Sequence, residues 1–280
     1  MDSVKLAWLI RRHGLEMTMR SCGSHIASVL SVADILAVLY GGEAKLNPRD
    51  PDDPLRDRII LSKGHACAAV YTALAETGFF NPKDLASYCA DGSALLGHIS
   101  HNVPGVELST GSLGHGLPVG AGMALAAKRD GRGHRVFVVC GDGECDEGSM
   151  WETALIAAHF TLSNLVAIID HNKMQSLDYC ENTIKLSPFA DKWDAFGWRA
   201  LEVDGHDHMA LKEAFASPAD GRPTSIIAHT VKGRGISFME NNILWHYRDP
   251  QGADYRDALR ELRAAMPEGL ADPYEGRDRA

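Results

Sequence analysis

The sequence predicts an α/β fold in which a doubly wound, mostly parallel sheet carries helices on both faces. Segments with helical periodicity alternate with short runs of β-branched and other apolar residues along the chain. These runs are apolar without interruption, which is typical of strands buried on both faces of a parallel sheet. Long polar and glycine-rich segments follow some of the runs. Ligands bind at this place in such folds, beyond the carboxyl ends of the strands.

The predicted elements follow one another in a regular order. Helices are predicted over residues 3–21, 31–40, 65–77, 117–129 and 148–160. Strands are predicted over residues 58–61, 135–140, 165–170, 199–203 and 224–229. The second helix is expected to begin at Ser31, because Asp34 three positions later makes a pattern close to a capping box.

Two long segments lack any period and are expected to be loops. Residues 90–116 are rich in glycine, histidine and serine, and residues 171–192 are irregular as well. Long loops of this kind usually have a functional reason. No linker composition divides the chain, so we expect one domain over residues 1–265 and a flexible polar tail over residues 266–280.

Charge and cysteine content exclude several classes of partner. The chain has 280 residues, a formal net charge of −9 and a pI of about 5.8. A negative surface repels nucleic acids and anionic membranes, so neither is expected to bind. Six cysteines without a CxxC pair argue against a zinc site or a disulfide framework and favour a cytoplasmic location. No run approaches the roughly 18 apolar residues of a membrane span.

The strongest chemical signal joins two predicted strand ends. One strand is followed by Gly141-Asp142-Gly143 and soon by a helix, and the next strand is followed by Asn172. Glycines let the backbone approach a phosphate, and the first amides of a helix donate to anions. Two side-chain oxygens, a main-chain carbonyl, water and phosphate oxygens would complete the octahedron that Mg²⁺ prefers. A lone Gly-Asp-Gly is more often a simple turn, but the paired asparagine favours a metal site.

Gly141-Asp142-Gly143, followed after 28 residues by Asn172, resembles the signature of thiamine-diphosphate enzymes. The resemblance implies that thiamine diphosphate is bound at these glycines. It also implies that Asp142, the Asn172 side chain and the Met174 carbonyl hold Mg²⁺, or another divalent ion such as Ca²⁺ or Mn²⁺. The signature by itself indicates the cofactor and not the reaction.

Other segments resemble transketolases in the same order, over residues 15–250. They are Ser62-Lys63-Gly64-His65, Leu96-Gly97-His98, residues 104–107, residues 110–116, residues 232–235 and Trp245-His246. Some positions differ from the family pattern. Gly23-Ser24-His25-Ile26 stands where many members have Gly-His-Pro-Gly, and Ser112 and His115 replace Pro and Gln. The order of the matching segments indicates a transketolase with the thiamine-diphosphate-binding fold.

By this resemblance, four histidines in loops or helix starts are catalytic. His65 and His246 would also bind the cofactor, contacting the diphosphate and the reacting centre. His25 and His98 would hydrogen-bond the sugar hydroxyls and help to move protons. An imidazole with a pKa near neutrality suits both tasks.

Further residues have roles implied by the resemblance. Glu147 and Glu152 would join an acidic network across a subunit interface, and Glu147, the better candidate, would serve both catalysis and the cofactor. First-turn acids are also favoured by the helix dipole alone. Leu113 would pack near the cofactor. For Lys232, a position beside the phosphates and a surface position are equally open, and the roles of His101 and His115 are open as well.

The resemblance also implies a second chain. The activity would be the transfer of a two-carbon ketol unit from a ketose phosphate to an aldose phosphate, with the cofactor stabilising the carbanion. In complete transketolases the glutamate that activates the cofactor lies in a second domain. We therefore expect a separately encoded C-terminal, pyrimidine-binding transketolase subunit, an α₂β₂ assembly with the cofactor at the interface, and no ketol transfer by this chain alone.

Two other functions stay open. An α-type subunit of a 2-oxo acid dehydrogenase shares the metal signature, but it lacks the set of four histidines. A non-catalytic cofactor-binding protein would bind the cofactor without activity in any pairing. A Rossmann dehydrogenase is not expected, because no GxGxxG follows an early strand.

Overall fold

Five strands form one sheet in the described part of the chain. The structure is a computed structural model that describes residues 1–217 and 220–276. The strands are β1 (Arg58–Leu61), β2 (Val136–Gly141), β3 (Leu165–His171), β4 (Arg199–Asp204) and β5 (Thr224–His229). They lie in the order β1-β2-β3-β5-β4, and every neighbouring pair is parallel. The predicted strands are confirmed to within one residue at each end, because uninterrupted apolar runs are a strong local signal.

Helices cover both faces of the sheet. They are α1 (Ser3–Ser21), α2 (Ile26–Val38), α3 (Cys67–Glu76), α4 (Gly116–Arg129), α5 (Gly148–His159), α6 (Cys180–Thr183), α7 (Phe189–Ala195), α8 (His208–Ala216) and α9 (Gly252–Ala264). Helices α1, α2, α3, α8 and α9 share a core with Phe137 and Val139 of β2. Helices α4, α5 and α7 share the other core with Val138 and Cys140. The predicted doubly wound α/β fold is confirmed.

The direction of the chain through the sheet decides which face each connecting helix covers. From β1 to β4 the chain moves across the sheet in one direction, and α4, α5 and α7 cover one face. From β4 it returns to insert β5 beside β3, and α8 covers the other face. Right-handed crossovers require this change of face when the direction reverses. The carboxyl ends of β1, β2, β3 and β5 therefore meet along one edge.

The second helix differs from its prediction. It begins at Ile26 and contains Ser31 and Asp34 in its buried interior, so the expected capping box is wrong. One wider helical turn (Leu39–Glu43) extends it. The 18-residue helix Ile26–Glu43 has a mean hydropathy of 1.5 and passes the length and composition test for a membrane span, contrary to the expectation from the sequence. It is 83% buried inside the fold, where it packs against α1 and α3.

Residues 266–276 are packed against the fold, in contrast to the flexible tail expected from residue 266 onwards. Asp272 and Tyr274 are buried. Asp272 accepts hydrogen bonds from Arg12 at 3.0 Å and from Arg263 at 2.9 Å, and the Tyr274 hydroxyl lies 2.7 Å from Nδ1 of His13. The segment is polar because it satisfies buried polar groups of α1. Residues 277–280 of the expected tail lie outside the described residues.

Candidate active site

A cavity of about 230 Å³ opens at the carboxyl ends of β1, β2, β3 and β5. The residues predicted from the sequence that line it are His25, His65, His98, Leu113, Gly141, Asp142, Gly143, Asn172, Met174 and His246. Lys232 lines it as well, which settles the choice between a surface and a pocket position in favour of the pocket. The structure thus brings together segments that are up to about 220 residues apart in the sequence.

Asp142 presents a buried carboxylate at the end of β2. Its Oδ1 accepts a hydrogen bond from the Gly143 amide at 2.8 Å. Its Oδ2 accepts one from the Lys173 amide and lies 3.1 Å from Nδ1 of His171. These contacts join the ends of β2 and β3 and hold the carboxylate in one orientation. A fixed carboxylate of this kind is suited to bind a cation.

Two further oxygen atoms that could bind a cation lie just beyond β3. The Asn172 side chain is buried, and its Oδ1 accepts from the Met174 amide at 3.1 Å. The Met174 carbonyl accepts from Nζ of Lys232 at 3.2 Å. Together with Asp142, they supply one carboxylate, one carboxamide and one carbonyl oxygen to the same cavity.

Position 143 requires a glycine because the neighbouring loop lies close to its Cα. A Cβ at this position would lie 2.7 Å from Cγ of Gln175, which also lines the cavity. Gly114 has a φ of +77°, and a Cβ there would lie 2.8 Å from Cβ of Glu147. Side chains at these two positions would push the loops apart and deform the cavity wall.

Two buried lysines make the cavity attractive to an anion. Lys63, named above only as part of a motif, forms an ion pair with the fully buried Asp170. Asp170 also accepts from Ser31 at 2.7 Å and from Thr230. Burial, and then the nearby Lys63, lower the pKa of Lys232 to about 8. Asp170 already offsets the charge of Lys63, whereas the Lys232 ammonium lies beside the Met174 carbonyl, where a diphosphate would offset its charge.

The four predicted histidines form one cluster around His25. Its ring centroid lies 5.1 Å from that of His65, 5.2 Å from that of His246 and 5.8 Å from that of His98. The His25 backbone adopts a positive φ of 75°, and its amide donates to the His246 carbonyl at 3.0 Å. A strained backbone of this kind is common at functional sites, because the surrounding structure must hold it in place.

Burial and nearby cations keep three of these imidazoles, those of His25, His65 and His246, neutral. Burial, with contributions from His98 and Lys232, lowers the pKa of His25 to about 4. Burial and the adjacent Lys232, whose Nζ lies 2.9 Å from Nδ1 of His246, lower the pKa of His246 to about 3. Burial and Lys63 lower the pKa of His65 well below its usual value. These pKa values lie below the near-neutral value expected from the sequence, so the three rings are neutral at physiological pH and can donate and accept hydrogen bonds.

Glu147 does not line the cavity. Its side chain is exposed at the start of α5, and Glu152, one turn later, is exposed as well. The buried acid of this region is Glu144, which was not predicted from the sequence. It accepts from the Gly114 amide at 2.8 Å, from the Gly141 amide at 3.0 Å and from Ser62. Burial raises the pKa of Glu144. No local pattern distinguishes it from Glu147, since its partners come from other strands and loops.

The remaining histidines with open roles lie outside the cavity lining. His101 is exposed, and its Nδ1 lies 2.7 Å from Oγ of Ser109. His115 is exposed at the residue before α4. We assign neither of them to the site.

The donor set fits a divalent ion that is shared with a bound phosphate. Within residues 1–217 and 220–276, no three His, Cys, Asp or Glu side chains converge so as to hold a metal unaided. The cavity instead offers the oxygens of Asp142, Asn172 and Met174. Magnesium is usually held by a few protein oxygens together with phosphate oxygens and water. The residues present therefore fit a metal that binds together with a diphosphate.

Comparisons with known proteins agree with this geometry. Residues 4–265 match the family described as transketolase, thiamine diphosphate binding domain. An apulose-4-phosphate transketolase subunit of Actinobacillus succinogenes is 41% identical over 262 residues, which cover 92% of this chain and 95% of that protein. A 6-deoxy-6-sulfo-D-fructose transketolase subunit of Clostridium sp. is 37% identical over 257 residues, covering 91% of this chain and 94% of that protein.

A solved structure shows the same fold over most of this chain. The transketolase from Campylobacter jejuni superimposes with a TM-score of 0.88 at 27% sequence identity. The match covers 96% of this chain and 44% of that one. The chain thus spans nearly the full length of the two curated relatives but less than half of this solved transketolase.

Proposed function

The chain belongs to the transketolase family as a thiamine-diphosphate-binding, transketolase-type transferase subunit, and we propose that it holds the diphosphate end of the cofactor through a divalent ion. The proposed reaction transfers a two-carbon ketol unit from a ketose phosphate to an aldose phosphate. One observation carries the proposal: three oxygen ligands, two buried lysines and four clustered histidines face a single cavity at the carboxyl edge of the sheet.

Asp142, Asn172 and the Met174 carbonyl would hold Mg²⁺, with Ca²⁺ or Mn²⁺ as substitutes. The Asp142 carboxylate is buried and already bound by backbone amides, so it is preorganised for the ion. Lys232 donates to the carbonyl of the same Met174 and would bring a positive charge close to the diphosphate. When bound, the cofactor supplies the electron sink for cleavage of the carbon–carbon bond.

The histidines would act on the sugar. His25, His65 and His246 are held neutral by burial and by the nearby lysines. The negative charge of a bound diphosphate would raise their pKa values towards neutrality, where an imidazole can accept a proton from a hydroxyl group and return it. His98 is exposed at the cavity mouth, where a substrate would arrive. Glu147 lies outside the lining, and a role for it would require the proposed partner to cover α5.

We propose that a pyrimidine-binding subunit completes the site in an α₂β₂ assembly. Two relatives that this chain matches over nearly their whole length are named as subunits of a transketolase. Large apolar side chains are exposed beside the cavity and on α5, as expected of a surface that another chain covers. They are Leu177, Leu244, Tyr247, Leu155 and Ile156.

Sugar phosphates are the proposed substrates, and a cytoplasmic location is proposed with them. The relatives' names refer to apulose 4-phosphate and to a sulfonated fructose, so phosphorylated and sulfonated ketoses should both be assayed as donors. All six cysteines are free thiols, which supports a reducing compartment.

Cofactor binding by the reconstituted pair tests the proposal. Asp142→Ala removes the carboxylate of the oxygen set, and affinity for thiamine diphosphate with Mg²⁺ should fall by more than about 100-fold, since loss of outer partners alone costs roughly 10–100-fold. Isothermal titration would measure it. The control is Asp130→Ala, which removes an exposed acid after α4 and should bind normally.

Two results would contradict the proposal. Unchanged cofactor affinity in Asp142→Ala would exclude the metal site. Robust ketol transfer by the purified chain without a partner would exclude the shared active site.

A further inference from the structure

A second buried polar cluster lies away from the cavity, around the carboxylate of Asp34 in the middle of α2. Arg11 of α1 donates to both carboxylate oxygens, at 3.0 Å for Nη1. Nδ1 of His206 lies 2.6 Å from Oδ2, and Nε2 of His208 lies 3.1 Å from Oδ1. Four donors on two oxygens saturate the carboxylate, and they lower its pKa well below the usual value although burial opposes this.

The second ring nitrogen of His206 has a different partner. Its Nε2 lies 2.8 Å from the backbone amide of Val231, which can only donate. Nε2 must therefore carry a lone pair, and the single proton must lie on Nδ1, where it is donated to Asp34. Arg11, His208 and Asp34 are the charged or titratable groups in direct contact within this cluster, and Arg234, Glu240 and Glu261 line the same surface cavity. Asp34 thus selects the one tautomer of His206 that can accept from Val231.

Val231 belongs to a short segment after β5 in which each residue is held by a separate contact. Thr230 binds Asp170, and the Gly233 amide donates to the Ala27 carbonyl at 3.1 Å. Between them, the Lys232 side chain reaches the Met174 carbonyl and the His246 ring in the cavity. The His206 ring accepts from the Val231 amide, which belongs to the peptide group between Thr230 and Val231, one residue before Lys232.

We propose that His206 is a positioning residue that places the Lys232 ammonium in the cofactor cavity through the Val231 amide. The contact fixes the Thr230–Val231 peptide group, one residue before the Cα from which the lysine side chain extends. Loss of the contact between His206 and Val231 would let the segment after β5 shift, while β5 and the ion pair between Arg11 and Asp34 persist. The part of the proposal that concerns the position of Lys232 holds without any cofactor. The expected effect on cofactor affinity rests on the proposed function.

Two substitutions of His206 separate its two contacts. His206→Asn keeps a donor near the Nδ1 position but has no atom that reaches Val231. His206→Gln extends an acceptor to about the position of Nε2 and can still accept from the Val231 amide. His208→Gln is the matched control, because His208 makes a similar contact with Asp34 while its other ring nitrogen faces Ser3 of α1 instead of the segment after β5.

Two readouts follow the lysine and the cofactor separately. In the full chain alone, the acylation rate of Lys232, measured by mass spectrometry, should rise about three- to tenfold in His206→Asn, the factor expected for loss of one hydrogen bond. In the reconstituted pair, affinity for thiamine diphosphate with Mg²⁺ should fall by a similar factor. His206→Gln and His208→Gln should stay close to the parent protein in both readouts.

Equal effects of His206→Asn and His208→Gln would overturn the proposal, because they would indicate only a general loss of stability. Unchanged Lys232 reactivity in His206→Asn would overturn it as well. Increased reactivity with unchanged cofactor affinity would support the positioning role and count against the proposed function of the cavity. The proposal can also be tested without any substitution. The ¹⁵N chemical shifts of the His206 ring in the parent protein report which nitrogen carries the proton, and a protonated Nε2 would overturn the proposal.

Discussion

The histidines of the cavity and the histidines around Asp34 are both packed against other polar groups, but their partners have opposite charge. His25 and His246 face each other and the ammonium of Lys232. His206 and His208 share the carboxylate of Asp34 with Arg11. In the first group, burial and repulsion from nearby cations disfavour the protonated imidazole. In the second group, each imidazole donates a hydrogen bond to the carboxylate of Asp34.

This difference indicates which histidines can serve a ligand. A ring whose nitrogens are already committed to a buried carboxylate and a backbone amide stabilises the fold, because any other contact would cost a hydrogen bond. A ring that is held among cations lowers the stability of the protein, and such arrangements are usually found where function requires them. The proposed diphosphate would supply the anion that offsets the cations of the cavity.

The largest expected difference between the two groups is in catalysis. In the reconstituted pair, His65→Ala should lower kcat/KM by about 10²–10⁴-fold, the usual contribution of a group that transfers a proton. His208→Gln should change it by less than about threefold, since this ring touches no reacting atom. Steady-state kinetics would measure both. Comparable losses in the two variants would remove the functional distinction between the groups.

The stability of the chain should respond in the opposite way. Asp34→Asn leaves the partly buried Arg11 without its counter-charge and should lower the free energy of unfolding by about 3 kcal/mol, the lower part of the range for a broken buried pair. His98→Gln changes an exposed ring and should stay within about 0.5 kcal/mol of the parent protein. Urea denaturation would measure both, and a loss in His98→Gln as large as that in Asp34→Asn would contradict the assignment.

Acid should destabilise the protein through the cavity histidines. The pKa of His25 is about 4 and that of His246 about 3 in the folded chain, below the usual value, so between these values and pH 6.5 the unfolded state binds more protons. Stability should therefore fall as the pH decreases from 6.5 towards 4. Replacing both rings with glutamine should flatten this part of the profile, and replacing His208 with glutamine should not. Thermal unfolding at several pH values would measure this. If the double variant lost stability with decreasing pH as steeply as the parent protein does, the prediction would be wrong.

The smallest effect concerns the pKa of one ring. Burial lowers the pKa of His246 most, and the charge of Lys232 lowers it further. Lys232→Met removes that charge and should raise the pKa of His246 measurably in an NMR titration. Lys185→Met, which neutralises an exposed lysine, should leave it unchanged. A pKa for His246 that does not rise in Lys232→Met would show that the two side chains are not coupled.

Local patterns were sufficient to predict the sheet and the residues that lie at its carboxyl edge. Most strands of the sheet are buried on both faces, so each is an apolar run that can be recognised without its neighbours. Asp142 and Asn172 follow two of these runs directly, and the ends of adjacent parallel strands must meet. For this reason the oxygen donors and the four cavity histidines could be named from the residues and their resemblance to a family.

The sequence alone determined the strands, the fold class and the residues that follow the strand ends, because those signals lie within a few residues of each other. Tertiary structure decided the rest. The partners of Ser31 and His206 lie 139 and 172 positions away in the chain. Glu144 rather than Glu147 is buried because glycine-rich segments from other parts of the chain close around it. A buried polar group takes its role from the atoms that replace water around it, and only the folded chain brings those atoms together.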